Sequence, residues 1–111
     1  SDTMTTPTTR QLTKRFADQL SKAMERHRTY RQHMVPSIVH EGREELAWVR
    51  GERELMLGLV NAERQALGRP LVTIKDIGRV ETMACGHIDY LTKFARYCAE
   101  LVFLDLDEVK P

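Results

Sequence analysis

Residues 72–104 read VTIKDIGRVETMACGHIDYLTKFARYCAELVFL. Apolar side chains recur along them at helical spacing, through Ile77, Val80, Ala84, Ile88, Leu91, Phe94, Ala95, Cys98, Leu101 and Val102, with Glu81 beside Val80 on the same stripe. Thr73 suits an N-cap, and Asp76 stands three residues on, where a capping box usually carries Glu. Val72 and Ile77 bracket that cap as a hydrophobic staple. Gly86 sits at the centre. The segment is either one helix of about 30 residues or two joined near Cys85-Gly86-His87, and the nearly unbroken stripe favours one. Acids at a helix C-terminus oppose its dipole. The helix is therefore expected to stop near Leu104, leaving 105–111 as a flexible tail with the acids Asp105, Asp107 and Glu108.

Immediately upstream, Ala66-Leu67-Gly68-Arg69-Pro70 reads as a helix end, a left-handed glycine cap and a proline. The helix ending there restarts the chain after Pro36. Its apolar stripe runs through Leu46, Val49, Met56, Val60 and Leu67, widened by Trp48, Leu55, Leu59, Ala62 and Ala66. A stripe that wide predicts neighbours on two sides. Gly42, Gly51 and Gly58 each cost about 1 kcal/mol relative to alanine in a helix interior. They point to close helix crossings or to an interrupted first turn near Gly42. Before Pro36, the spacing of Leu12, Phe16, Leu20, Ala23/Met24, His27, Tyr30 and Met34 predicts a helix of about 25 residues, roughly 38 Å long. Thr8 or Thr9 caps it, after a flexible leader over 1–8. From Arg10 to Arg31 there are seven basic residues against Asp18 and Glu25, so its solvent face is basic.

The expected fold is all-α, three long amphipathic helices in one domain over 9–104. Three helices in a chain of 111 residues enclose a thin core. The run Leu101-Val102-Phe103-Leu104 is hard to shelter inside it. A homodimer would complete the bundle, with Trp48, Leu55, Leu59, Phe94, Leu101 and Phe103 at its interface. Charged residues make up 30% and hydrophobic residues 41%, with a net charge of +1. Those values exclude a disordered profile and give no global pull toward nucleic acid or an anionic membrane. No apolar run approaches the roughly 20 residues needed to cross a bilayer, and the polar start has no signal-peptide core. Cys85 and Cys98 lie 13 residues apart, about 20 Å along a single helix and too far for a disulfide. Free thiols in a reducing, cytoplasmic setting are the expectation.

Reactive chemistry does not assemble from this pattern. His40-Glu41 begins a zinc-hydrolase motif, but Glu44 stands where the second histidine is required, and no Glu-x-x-His pair occurs. No metal, cofactor or catalytic residue is expected. The densest polar group, Cys85, His87, Asp89 and Tyr90, reads as a helix crossing or a recognition cluster, since Cys85 and His87 point about 200° apart on a helix. Tyr90 is placed to meet Phe94 one turn on. The function expected is that of a small non-catalytic protein that binds another protein, or oligomerises as an accessory or regulatory factor.

Two local resemblances carry alternatives. The run Val72-Thr-Ile-Lys-Asp-Ile-Gly-Arg-Val80, continuing to Leu91, resembles the first two helices of lactose-repressor-type helix-turn-helix domains, which open Val-Thr-Ile-Lys-Asp-Val-Ala-Arg. That resemblance implies a DNA-binding regulator whose recognition helix begins near Ala84 and presents Cys85, Gly86, His87 and Asp89 to the groove. The family's turn glycine is Thr82 here, and its phosphate-contacting residues have no counterpart. The run Ser37-Ile-Val-His-Glu41-Gly42 resembles the inhibitory motif of antitoxins that block Fic-type AMP-transferases. There the glutamate pairs with an arginine of the enzyme and obstructs the ATP γ-phosphate, a role that would fall to Glu41, with Ser37 and Gly42 completing the motif.

Overall fold

The computed structural model describes residues 6–32 and 38–105, with side chains described for 6–26 and 51–105. Four α-helices follow one another: α1 (Thr9–Gln32), α2 (Ile38–Ala66), α3 (Ile74–Ala84) and α4 (Tyr90–Phe103). No strand occurs among the described residues, as the periodicity predicts. The helix ends obey local chemistry. Thr8 and Gln11 form a reciprocal cap on α1: the Thr8 amide donates to Gln11 Oε1 at 2.8 Å, and the Gln11 amide donates to Thr8 Oγ1 at 3.1 Å. Gly68, at φ +70°, closes α2, with Arg69 N–H donating to Arg64 O at 2.9 Å and Gly68 N–H to Gln65 O at 3.0 Å. That pair of bonds is a Schellman motif. On α3, the Thr73 amide donates to Asp76 Oδ2 at 2.9 Å.

The single helix expected over 73–103 is two. α3 stops at Ala84, Gly86 takes φ +89°, and α4 starts at Tyr90. Ile88, which the stripe places inward, is 107% exposed. The reason is packing. Among the described residues the α3 backbone nowhere approaches that of α1 closely, whereas α4 packs along α1 more extensively than any other helix pair does. The turn brings Phe94, Ala95, Cys98, Ala99 and Val102 into full burial. Breaking a helix forfeits about four backbone hydrogen bonds, each worth a net 0.5–1.5 kcal/mol. Burying Phe94 and Val102 alone recovers roughly 1.5–3 kcal/mol each, and Cys98 and the alanines add to that.

α4 is consequently the hub: like α2 it touches all three other helices, and its packing on α1 is the most extensive in the fold. Around it gather Leu12, Phe16 and Leu20 from α1, Met56 and Val60 from α2, and Ile77, Val80 and Ala84 from α3. Two expectations about glycine are corrected. Gly51 and Gly58 have open space where a Cβ would stand, so they are not crossing points. Gly86 also has nothing near it; it is needed for its dihedral angle. α2 runs unbroken from Ile38, so its first turn is not interrupted at Gly42. No described helix is long and apolar enough to cross a membrane.

Candidate functional site

Between Glu52 and Arg64, every fourth residue of α2 is buried: Glu52, Met56, Val60 and Arg64. This inward stripe is apolar in its middle and charged at both ends. Arg64 is fully buried at the C-terminal end. Its Nη1 donates to the carbonyls of Leu101 (2.6 Å), Val102 (3.2 Å) and Leu104 (2.8 Å), and its Nε donates to Pro70 O. The last carbonyls of a helix have no partners of their own and sit at the negative end of its dipole. Arg64 therefore caps α4 from another helix. Burial lowers its pKa, and the neighbouring Arg69 adds to the shift. Beside it, Asn61 accepts from Val72 N–H at 2.8 Å and donates to Val72 O at 3.0 Å, pinning the α2–α3 connection.

The other end gathers groups from three helices. Glu81 of α3 is 3% exposed, and both its carboxylate oxygens are engaged. Arg53 Nε donates to Oε1, and the Tyr90 hydroxyl donates to Oε2 at 3.0 Å. Glu52, also buried, lies close enough to feel the Glu81 charge. Desolvation first and that charge second raise its pKa. Burial pushes the Tyr90 phenol up, with Glu81 reinforcing the shift. The Cys98 thiol is pushed up to about 12, again by burial first, which leaves it protonated and unreactive. The result is a buried acid pair in which Glu81 is answered by Arg53 and Glu52 is held toward its neutral form. Among the described residues, no three His, Cys, Asp or Glu side chains gather as metal ligands.

The residues expected at a dimer interface separate into groups. Phe94 and Leu101 are buried in the chain's own core, and Phe103 packs half-buried against it. Leu55 and Leu59 are partly buried on α2, and Leu59 packs against the core. Trp48 lies on α2 outside the described side chains. The polar cluster also divides. Cys85, His87 and Asp89 are exposed on the α3–α4 connection, while Tyr90 turns inward, its ring 5.8 Å from that of Phe94. The recognition helix expected to start near Ala84 is absent, because 85–89 is a turn and α4 buries most of one face. Of the antitoxin-like motif, Ser37 lies outside the described residues, and Glu41 and Gly42 fall in the first turns of α2.

Glu52, Arg53, Asn61 and Arg64 are absent from the expectations. The signal for two of them was present: Glu52 and Arg64 fall in register with Met56 and Val60, so a charge on an apolar stripe marked each. No family model, curated protein or solved structure matches the chain.

Proposed function

We propose that the chain is a non-catalytic helical protein that acts by binding protein surfaces, first of all a second copy of itself. The observation that carries this reading is the α3–α4 connection. Ile88 stands fully in solvent there, and Met83, in the last turn of α3, is 55% exposed. Turns of this kind ordinarily carry polar residues, and an apolar side chain held clear of its own core gains from a partner's surface. Leu55, partly exposed on α2, adds apolar surface. The free thiols, Cys85 exposed and Cys98 buried, favour a reducing, cytoplasmic setting.

Sedimentation equilibrium at about 10 μM should give twice the 12.8 kDa chain mass. Ile88→Asp should return the protein to single mass with its circular dichroism unchanged, because Ile88 contributes nothing to the core. A single-mass species persisting at about 100 μM rejects self-association. A dimer indifferent to Ile88→Asp rejects this surface.

A further inference from the structure

The face of α3 opposite the core forms a groove with α2. It has a volume of about 410 Å³ and is lined by Arg53, Ile74, Lys75, Gly78, Arg79 and Thr82. Three cations meet there without a lining carboxylate, in a chain whose net charge is only +1. Lys75 and Arg79 are four apart on one helix, a spacing at which like charges repel. Arg79 has only a long 3.9 Å approach to Asp76 as compensation.

Arg53 is fixed rather than trailing in solvent. Its Nε is held by the buried Glu81, and its guanidinium lies against Gly78, with Cζ and Nη1 each 3.6 Å from where a Cβ would stand. A methyl group fits there, and a longer side chain would push the guanidinium aside. Anchored through Nε, the fork keeps Nη1 and Nη2 without hydrogen-bond partners among the described residues. The Thr82 hydroxyl is turned back onto Gly78 O at 2.9 Å, so the donors of the groove are the three cations.

We propose that this groove binds the phosphate group of a small phosphorylated molecule. A phosphate offers several oxygens and about two negative charges, which suits one pre-positioned guanidinium and two mobile cations better than a single carboxylate does. Ile74, 42% exposed at the edge of the groove, offers an apolar surface to the organic part. Ile88 is not among the residues lining the groove, so Ile88→Asp tests self-association without altering this site.

Calorimetric titration of the intact chain with ADP, pyrophosphate and adenosine in about 50 mM salt tests this. ADP and pyrophosphate should bind and adenosine should not. Lys75→Gln with Arg79→Gln should weaken ADP at least about tenfold, with helicity unchanged because both side chains project into solvent. ADP binding more tightly than pyrophosphate supports an organic part on Ile74, and equal binding supports recognition of phosphate alone. The proposal is overturned by any of four results: no heat from ADP and pyrophosphate at about 5 mM, adenosine equal to ADP, an indifferent double variant, or a short DNA duplex bound more tightly than ADP through the same residues.

Discussion

The two charged ends of the buried stripe on α2 solve one problem in different ways. At Arg64 a buried cation is matched by fixed backbone carbonyls from α4 and from the α2–α3 connection. At the other end two acids are buried: Glu81 is answered by Arg53, whose side chain is 38% exposed, and Glu52, raised in pKa by burial and by the Glu81 charge, is not. The first arrangement is sealed from solvent, and its partners are main-chain atoms that neither titrate nor leave, although Arg64 Nη2 is buried without a hydrogen-bond partner among the described residues. The second is open to solvent and to protons. Burial alone therefore does not say what a charge does: a charge answered by backbone locks a fold, whereas one answered by a side chain that reaches solvent keeps a connection to the surface.

Breaking the closed end should have the larger effect. Arg64→Met keeps the bulk but leaves the carbonyls of Leu101, Leu104 and Pro70 without their donor. The expected loss is about 3 kcal/mol or more, read by urea denaturation, with hydrogen exchange quickening first in the last turn of α4. A loss below about 1 kcal/mol would show that water replaces the guanidinium there.

At the open end, Glu52→Gln should stabilise the protein at neutral pH, by roughly 4 °C in Tm. The sign follows from linkage. The Glu52 pKa is raised in the folded state above its ordinary 4.5, so the folded protein holds a proton that the unfolded chain releases. Stability falls as pH rises from that ordinary value through the folded one, and the amide abolishes the fall. The advantage of the variant should therefore disappear below about pH 4. An advantage independent of pH would place its origin in packing.

The smallest change sharpens the contrast by leaving both ends untouched. Gly58→Ala, on the outer face of α2 with open space at its Cβ position, should add up to about 1 kcal/mol. The denaturant slope and the pH profile should stay those of the parent protein. A destabilisation instead would mean that a partner surface lies against Gly58.

Periodicity and caps made most of the fold readable. Leu12, Phe16, Leu20, Met56, Val60, Ile77 and Val80 are buried where their spacing placed them, because an amphipathic helix declares its inner face locally. The break at Gly86 was not readable, since Ile88 happens to continue the stripe, and only the long-range packing of α4 on α1 decides against one helix. The acid cluster was half visible: Glu81 lay on the stripe, and Tyr90 was placed to meet Phe94, but its bond to Glu81 was not foreseen. Arg53 was hidden, because its role depends on crossing another helix at Gly78. Nothing local to Arg53 reports that.

A helix that serves as the hub also sets a timetable. Residues 94–102, on which α1, α2 and α3 all pack, are made after those three helices. A growing chain that has reached Ala84 therefore carries Leu12, Phe16 and Leu20 without their largest cover, and Arg64 without the α4 carbonyls that receive it. At about 5–20 residues per second, the α4 sequence needs a further second or more to be added. During that interval α1, α2 and α3 can pack only where they meet one another, and the apolar faces that α4 covers stay open to water. Burial of Leu12, Phe16 and Leu20 against Phe94, Ala95, Cys98 and Val102 thus waits until α4 has been made.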